Sequence, residues 1–217
     1  MKVEIYCGGP VETNGYLISH EGESLLIDAP EGIIDWLIHL GVGKTIQLKG
    51  LLLTHGHWDH IAEAAKIQES FKIPVLIHRD SAPLLEDPSI QAAFNPFFEL
   101  QACRADRILE KETFLELSHF KFNLLLCPGH CPGSLCFYFP EENKLFGGDV
   151  LFAGSVGRWD LPGGSQQQLL SAISEKILTL PDEVQVYPGH GSSTTVGQER
   201  QTNPCLVSLD QSSRGKR

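Results

Sequence analysis

Residues Thr54-His55-Gly56-His57-Trp58-Asp59-His60 place three imidazoles and a carboxylate within seven positions, directly after the apolar run Leu51-Leu52-Leu53. A run buried in a sheet cannot accommodate such polar groups, so they fall on the loop where the strand stops. His55 and His57, two positions apart, project to the same side of an extended chain and can grip one ion, while Asp59 and His60 come round the following turn and can grip another. Imidazole and carboxylate without thiolate suit zinc, iron or manganese. A chance cluster of solvated histidines is the bland alternative, and four ligand-type side chains in so short a run weigh against it.

The flanking chain must supply elements that hold this loop. Val3 and Ile5, then residues 16–18 and 24–28, have the composition of short strands separated by turns. Residues 35–40 carry apolar side chains at helical spacing and Gly41 ends them. Residues 61–67 have helix composition and lead to a strand at 73–78, so that strand, ligand loop, helix and strand make a β-α-β crossover. The stretch 80–102, with Pro83, Pro88 and Pro96, reads as short helices broken by proline. Phe94, Phe97 and Phe98 within it could line a substrate mouth, although core packing is the commoner fate of such a cluster. Strand signals return at 107–109, 114–117, 122–127, 135–139 and 144–146, and a helical stripe over 166–180 is followed by a strand at 184–187. His78 and His119 are expected on the surface.

At 217 residues and 41% hydrophobic composition, the chain is expected to form one domain over 1–217, with 208–217 a flexible tail. A formal net charge of -10 repels phosphate backbones and argues against nucleic acid as a partner. Without a cationic start and apolar signal segment, or an apolar run of membrane-spanning length, the expectation is a cytoplasmic protein with no membrane partner. Six cysteines with no C-x-x-C pair read as reduced thiols, and Cys131 as a small buried side chain.

The run from His55 to His60 is similar to the H-x-H-x-D-H signature of the metallo-β-lactamase-fold hydrolases. In that superfamily a lone His, a bridging Asp and a final His follow on later strand-end loops. This chain offers His130 in Pro128-Gly129-His130, Asp149 in Gly147-Gly148-Asp149 and His190 in Pro188-Gly189-His190-Gly191. The resemblance implies an α/β fold, a four-layer αβ/βα sandwich of two facing mixed sheets with outer helices. It also implies two divalent transition-metal ions, one held by His55, His57 and His130, the other by Asp59, His60 and His190, with Asp149 bridging. Zinc is the expected metal, iron and manganese the alternatives. Asp28 stands where the superfamily carries an Asp that braces the site, a plain turn carboxylate being the other reading. The expected chemistry is attack on a carbonyl by a hydroxide held between the cations, with Asp59 and Asp149 as the catalytic carboxylates.

Within the superfamily, His57 in place of Glu speaks against the flavodiiron oxygen reductases, Asp149 and the lack of a signal segment against secreted β-lactamases, and acidity against transfer-RNA-processing nucleases. The stretch Gly157-Arg158-Trp159-Asp160-Leu161-Pro162-Gly163-Gly164 resembles the small bacterial type II glyoxalases, the hydroxyacylglutathione hydrolase-like branch. This implies hydrolysis of S-lactoylglutathione or a related small thioester, with Arg158 pairing with a substrate carboxylate. The chain departs from full-length members at Arg158, where they carry Lys, and at Ser192, where they carry Tyr. It is also expected to be without their separate C-terminal glutathione-binding helical domain. The alternative enzyme is a mononuclear iron persulfide dioxygenase acting on glutathione persulfide through His55, His130 and Asp149, and the non-enzymatic alternative is a metal-binding fold that only recognises a ligand. Oligomeric state is left open.

Overall fold

The structure is a computed structural model that describes residues 1–95, 97 and 99–206. Its first sheet takes six strands in chain order: β1 (Lys2–Gly8), β2 (Thr13–His20), β3 (Glu23–Ile27), β4 (Gln47–Leu52), β5 (Val75–His78) and β6 (Arg107–Leu109). The first three form an antiparallel meander, and from β3 onward neighbours run parallel. The second sheet begins with β7 (Phe114–Leu117), β8 (Phe120–Leu126), β9 (Leu135–Phe139) and β10 (Lys144–Gly148), all antiparallel. After a small hairpin of β11 (Leu151–Phe152) and β12 (Ser155–Val156), β13 (Gln185–Pro188) joins β10 in parallel and β14 (Thr194–Thr195) closes the edge. The helices are α1 (Ile33–Leu40), α2 (Trp58–Ile61), α3 (Ala64–Phe71), α4 (Ala82–Glu86), α5 (Gln166–Ala172) and α6 (Val196–Thr202).

Alternation along the strands sorts the apolar residues into three cores, because successive side chains face opposite sides of a sheet. Tyr16, Ile18, Leu25 and Ile27 face the second sheet and meet Phe122, Phe137 and Phe146 between the layers. Leu17 and Leu26, one residue out of step, face outward and are covered by Ile33 and Leu37 of α1 and Ala64 and Ile67 of α3. Across the molecule Cys136, Tyr138, Leu145 and Val186 pack beneath Leu169, Ile173 and Ile177. Helix, sheet, sheet and helix therefore stack as expected, and β4, α2, α3 and β5 make the expected crossover. Gly41 stops α1 at φ +91, a conformation that costs a residue without Cβ little.

Three expectations need correction. The helix expected from residue 61 starts at Trp58, inside the ligand run, so Asp59 and His60 ride on a helical turn rather than a loop. It is then interrupted at Glu63, which leaves helical geometry (φ -113, ψ 13) while its buried carboxylate accepts the Ile34 N–H at 2.9 Å. The helix expected over 166–180 is α-helical only to Ala172 and continues as a π turn, Ile173–Ile177. His78, expected on the surface, is buried at the end of β5 with its Nδ1 accepting the Asp80 N–H, because the 131–133 loop closes over it: a Cβ on Gly133 would lie 2.9 Å from that nitrogen. His119 is exposed, as expected. The proposed tail 208–217 and Phe98 lie outside the described residues. Among the described residues no helix is long and apolar enough to cross a membrane.

Candidate metal centre

One rim of the sandwich collects the polar ends of strands from both sheets. Beyond β4 comes His55, beyond β8 His130, directly after β10 Asp149, and beyond β13 His190, while the first turn of α2 turns Asp59 and His60 back toward them. The ligand-type atoms fall into three overlapping groups, His55–His57–His130, His55–His60–Asp149 and Asp59–His60–His190, each with its atoms within 4.8 Å of one another. His130 Nε2 lies 2.8 Å from His57 Nδ1 and 3.2 Å from His55 Nε2. His60 Nε2 and His190 Nε2 lie 3.3 and 3.2 Å from Asp59 Oδ2. Asp149 stands between the sets, Oδ1 at 3.3 Å from His60 and Oδ2 at 3.5 Å from both His130 and His190. All seven residues singled out in the sequence are thus brought together.

The far side of each ring shows what the near side is for. His60 Nδ1 is 2.8 Å from Asp28 Oδ2, His55 Nδ1 is 3.0 Å from Thr54 Oγ1, His130 Nδ1 is 2.8 Å from the Arg158 carbonyl, and His190 Nδ1 is 3.1 Å from the Val11 carbonyl. Thr54 Oγ1 donates to Asp28 at 2.8 Å, so it is free to accept from His55. Four rings therefore donate their outer N–H and turn an Nε2 lone pair inward, the arrangement that orients imidazoles toward a cation. Three nitrogens of His55, His57 and His130 meeting at one point can share one proton between only two of them, whereas a cation serves all three. His60 Nε2 and Asp149 Oδ1 are buried without a hydrogen bond among the described residues, although 3.3 Å apart, because each is aimed at a common point rather than at the other. The donor set fits divalent metal ions.

Backbone geometry is tailored to the same end. Asp28 adopts φ +59 and from there accepts both the Thr54 N–H and its hydroxyl, strain of the kind that sites tolerate when their surroundings fix it. At Gly189 a Cβ would sit 2.1 Å from Asp149 Oδ1 and 2.7 Å from His60 Cε1, so the turn can pass behind the carboxylate only as glycine. Electrostatics tell the same story. Burial, with His60, His57 and His130 nearby, pushes His55 well below the ordinary imidazole range, and burial with His130 brings His57 down to about 4. Against its own burial, Asp59, Asp149 and Asp28 drive His60 well above that range. With Asp28, Asp59 and Asp149 gathered about one buried ring, the centre favours positive charge.

Several supports carry no sequence signal. Buried Gln91 donates to the Gly56 carbonyl at 2.8 Å and accepts the Trp58 N–H at 2.8 Å, clamping the ligand run from outside. Asn14 donates to the carbonyls of Pro188 and Gly191 at 3.0 and 2.9 Å, Tyr16 donates to Pro188 at 2.5 Å, and Thr13 donates to Asp59 Oδ2 at 2.8 Å. Lone amides and hydroxyls have no periodicity by which to find them.

The centre forms the floor of a cleft of about 290 Å³, walled by Val11, Trp58, Leu84, Ile90, Phe94, Leu161 and Pro162. Phe94 and Phe97 are exposed, the first lining this cleft, so core packing is not their role. Arg158 also lines it, with its guanidinium paired to Asp160 through two bonds of 2.8 and 2.9 Å.

A two-sheet sandwich with histidines and carboxylates gathered at one rim is a metallo-hydrolase scaffold. The family model described as the Metallo-beta-lactamase superfamily matches residues 8–190, and the chain belongs to that superfamily. Hydroxyacylglutathione hydrolase GloC of Haemophilus influenzae is 36% identical, over 96% of this chain and 99% of its own. Among solved structures, the BLEG-1 B3 metallo-beta-lactamase superposes with a TM-score of 0.89 at 37% identity, covering 95% of this chain and all (100%) of that one. TTHA1623 in a di-iron-bound form superposes at 0.81 with 35% identity, covering 93% and 99%.

Proposed function

We propose that the chain is a dinuclear metal-dependent thioester hydrolase of the glyoxalase II type, acting on S-lactoylglutathione or a related small thioester. The observation that carries this reading is the convergence of seven ligand-type side chains about Asp149 at the floor of one cleft. His55, His57 and His130 would hold one cation, Asp59, His60 and His190 the other, and Asp149 would bridge. Zinc is the proposed metal, and iron the alternative that the di-iron form of TTHA1623 supports. Bound there, divalent cations supply a hydroxide near neutral pH and stabilise the oxyanion that develops on the carbonyl.

The chain's own residues do the rest. Asp28 and Thr54 fix the rings of His60 and His55, Thr13 orients Asp59, and the apolar walls keep water from the acyl group. Arg158, at the wall, would meet a remote carboxylate in exchange for Asp160. A thiolate leaves without a proton, whereas a lactam nitrogen needs one. Among the described residues that line the cleft, the acids and imidazoles all belong to the proposed ligand set, which favours the thioester over the β-lactam chemistry named for BLEG-1. The length shared with GloC supports the same choice.

The test is metal analysis of the replete protein together with a panel of thioesters, a β-lactam and glutathione persulfide. Two ions per chain and thioester turnover are expected; one ion per chain, or persulfide-dependent oxygen uptake by the iron-loaded protein, would overturn the proposal. His190→Ala should lose most of one ion and lower thioester hydrolysis at least about a hundredfold, because one of two activating cations is gone.

A further inference from the structure

Nine large apolar side chains are exposed among the described residues: Ile5, Val11, Ile38, Ile90, Phe94, Phe97, Ile108, Phe114 and Trp159. Scattered singly they would need no explanation. Three of them, Val11, Ile90 and Phe94, line the cleft above the metal centre, and Phe97 packs on cleft-lining Trp58 with ring centroids 5.5 Å apart. The cleft thus changes character from floor to rim, from histidine and carboxylate to aliphatic and aromatic surface left open to water. Such a patch continuous with a reactive centre marks the path of an apolar ligand.

Charge points the same way. Glutathione carries two carboxylates, and a site built for it needs cations. Among the described residues that line the cleft, Arg158 is the one permanently cationic side chain, and it brings its own carboxylate, Asp160, so the pair presents no net positive charge. The chain as a whole stands at -10.

Resting on the thioesterase reading above, we infer that specificity resides in the acyl group: the rim of Val11, Ile90 and Phe94, backed by Trp58 and Phe97, binds an aliphatic or aryl acyl chain, and the thiol half is read little. The substrate class is a thioester of an apolar carboxylic acid. Floor and rim divide the work, the floor engaging the carbonyl that all thioesters share and the rim selecting what is attached to it.

The experiment uses the metal-loaded full chain and N-acetylcysteamine thioesters from acetyl to hexanoyl, with hexanoylglutathione and S-lactoylglutathione beside them. Expected is a rise in kcat/KM of at least about threefold per added methylene, and a change below about threefold when glutathione replaces N-acetylcysteamine. The double variant Ile90→Ala, Phe94→Ala should lower the hexanoyl-to-acetyl ratio at least about tenfold. A flat series, or a strong preference for S-lactoylglutathione, overturns the inference. Binding of ketone isosteres, in which a methylene replaces the sulfur, gives a readout independent of turnover. Affinity that rises with chain length while no thioester is hydrolysed would keep the rim and sink the thioesterase reading; affinity independent of length would sink the rim. Sedimentation covers the remaining occupant: a dimer that Phe97→Ser dissociates, with the length series unchanged, would assign the apolar rim to a second copy of the chain and overturn the inference.

Discussion

On the first-sheet side of the metal centre a buried carboxylate does the bracing: Asp28 accepts from Thr54 N–H, Thr54 Oγ1 and His60 Nδ1, each at 2.8 Å, and through Thr54 it also reaches His55. On the second-sheet side no acid among the described residues plays that part. His130 and His190 donate to main-chain carbonyls, and Asp149 is hemmed in by backbone that approaches closely for want of a Cβ, at Gly189 and at Gly157, where a Cβ would fall 1.9 Å from the Asp149 carbonyl. One half is held by charge and the other by shape. The halves should therefore fail in different ways, the first when a charge is removed and the second when an atom is added.

The largest effect is expected from shape. Gly189→Ala places a methyl on Asp149 Oδ1 and His60 Cε1, so metal affinity should fall more than about a hundredfold, with an overpacking cost of about 1–3 kcal/mol on folding. Gly147→Ala is the matched control in the adjoining strand, since its Cβ would find its nearest neighbour, Val186 Cγ1, at an ordinary 3.9 Å. Equal loss of metal in both proteins would mean that close approach at Gly189 is not what holds Asp149.

Next comes charge. Asp28→Asn keeps a residue type that tolerates φ +59 and keeps an acceptor for the Thr54 N–H. Its amide cannot accept from both remaining donors, so His60 loses the partner that fixes its tautomer. Metal affinity should fall about 10–100-fold and stability by about 1–3 kcal/mol. Calorimetric titration of the metal-free protein measures the first and urea unfolding the second. An affinity unchanged by Asp28→Asn would put the bracing elsewhere.

How much of this could be read beforehand follows from the same contrast. The run from His55 to His60 was legible because it stands just past an apolar strand, where a change from buried strand to polar loop is visible in residue types alone; His130, Asp149 and His190, single residues on later loops, were found through the resemblance to the superfamily. The layers came from the resemblance, because Tyr16, Leu17 and Ile18 are apolar on both faces of their strand and their division between two cores leaves no alternation to read. The start of α2 was not legible, because Trp58-Asp59-His60 has no apolar stripe to announce a helical turn. His78 misled because a polar side chain at a strand end is ordinarily solvated, and only the later loop with Gly133 covers it. Of the cleft wall the sequence pointed to Phe94, as a residue that could line a substrate mouth, whereas Leu84 and Ile90 escaped because residues 80–95 form short helices and turns without periodicity.

A smaller effect should come from the seam between the halves. Asn14, on β2 of the first sheet, donates to the Pro188 and Gly191 carbonyls of the loop that carries His190. Asn14→Ala leaves Pro188 its bond from Tyr16 but strips the partner from Gly191, so a loss of about 1–2 kcal/mol is expected in urea unfolding. The number of ions bound should not change, since all seven ligand-type side chains remain. A lost ion would show that the seam, and not either half, positions His190.

The smallest effect concerns Arg158, the one permanently cationic side chain among the described residues that line the cleft. Arg158 ties the halves of this comparison together, because its carbonyl fixes His130 by shape while its guanidinium is held by Asp160. Both side chains are more than half exposed, at 61% and 64%, and an exposed pair is readily exchanged for another carboxylate. Asp160→Ala should therefore leave His130 in place and kcat nearly unchanged, and lower KM for an anionic thioester such as S-lactoylglutathione by about two- to fourfold. An uncharged N-acetylcysteamine thioester should show no such gain, and added salt should erase the difference, because the freed cation acts through solvent-screened charge. Arg158→Ala should raise KM for the anionic substrate only slightly, since what it removes is a pair without net charge. A fall in kcat with Asp160→Ala would show instead that the ion pair holds the Arg158 carbonyl, and through it His130, in register with the metal centre.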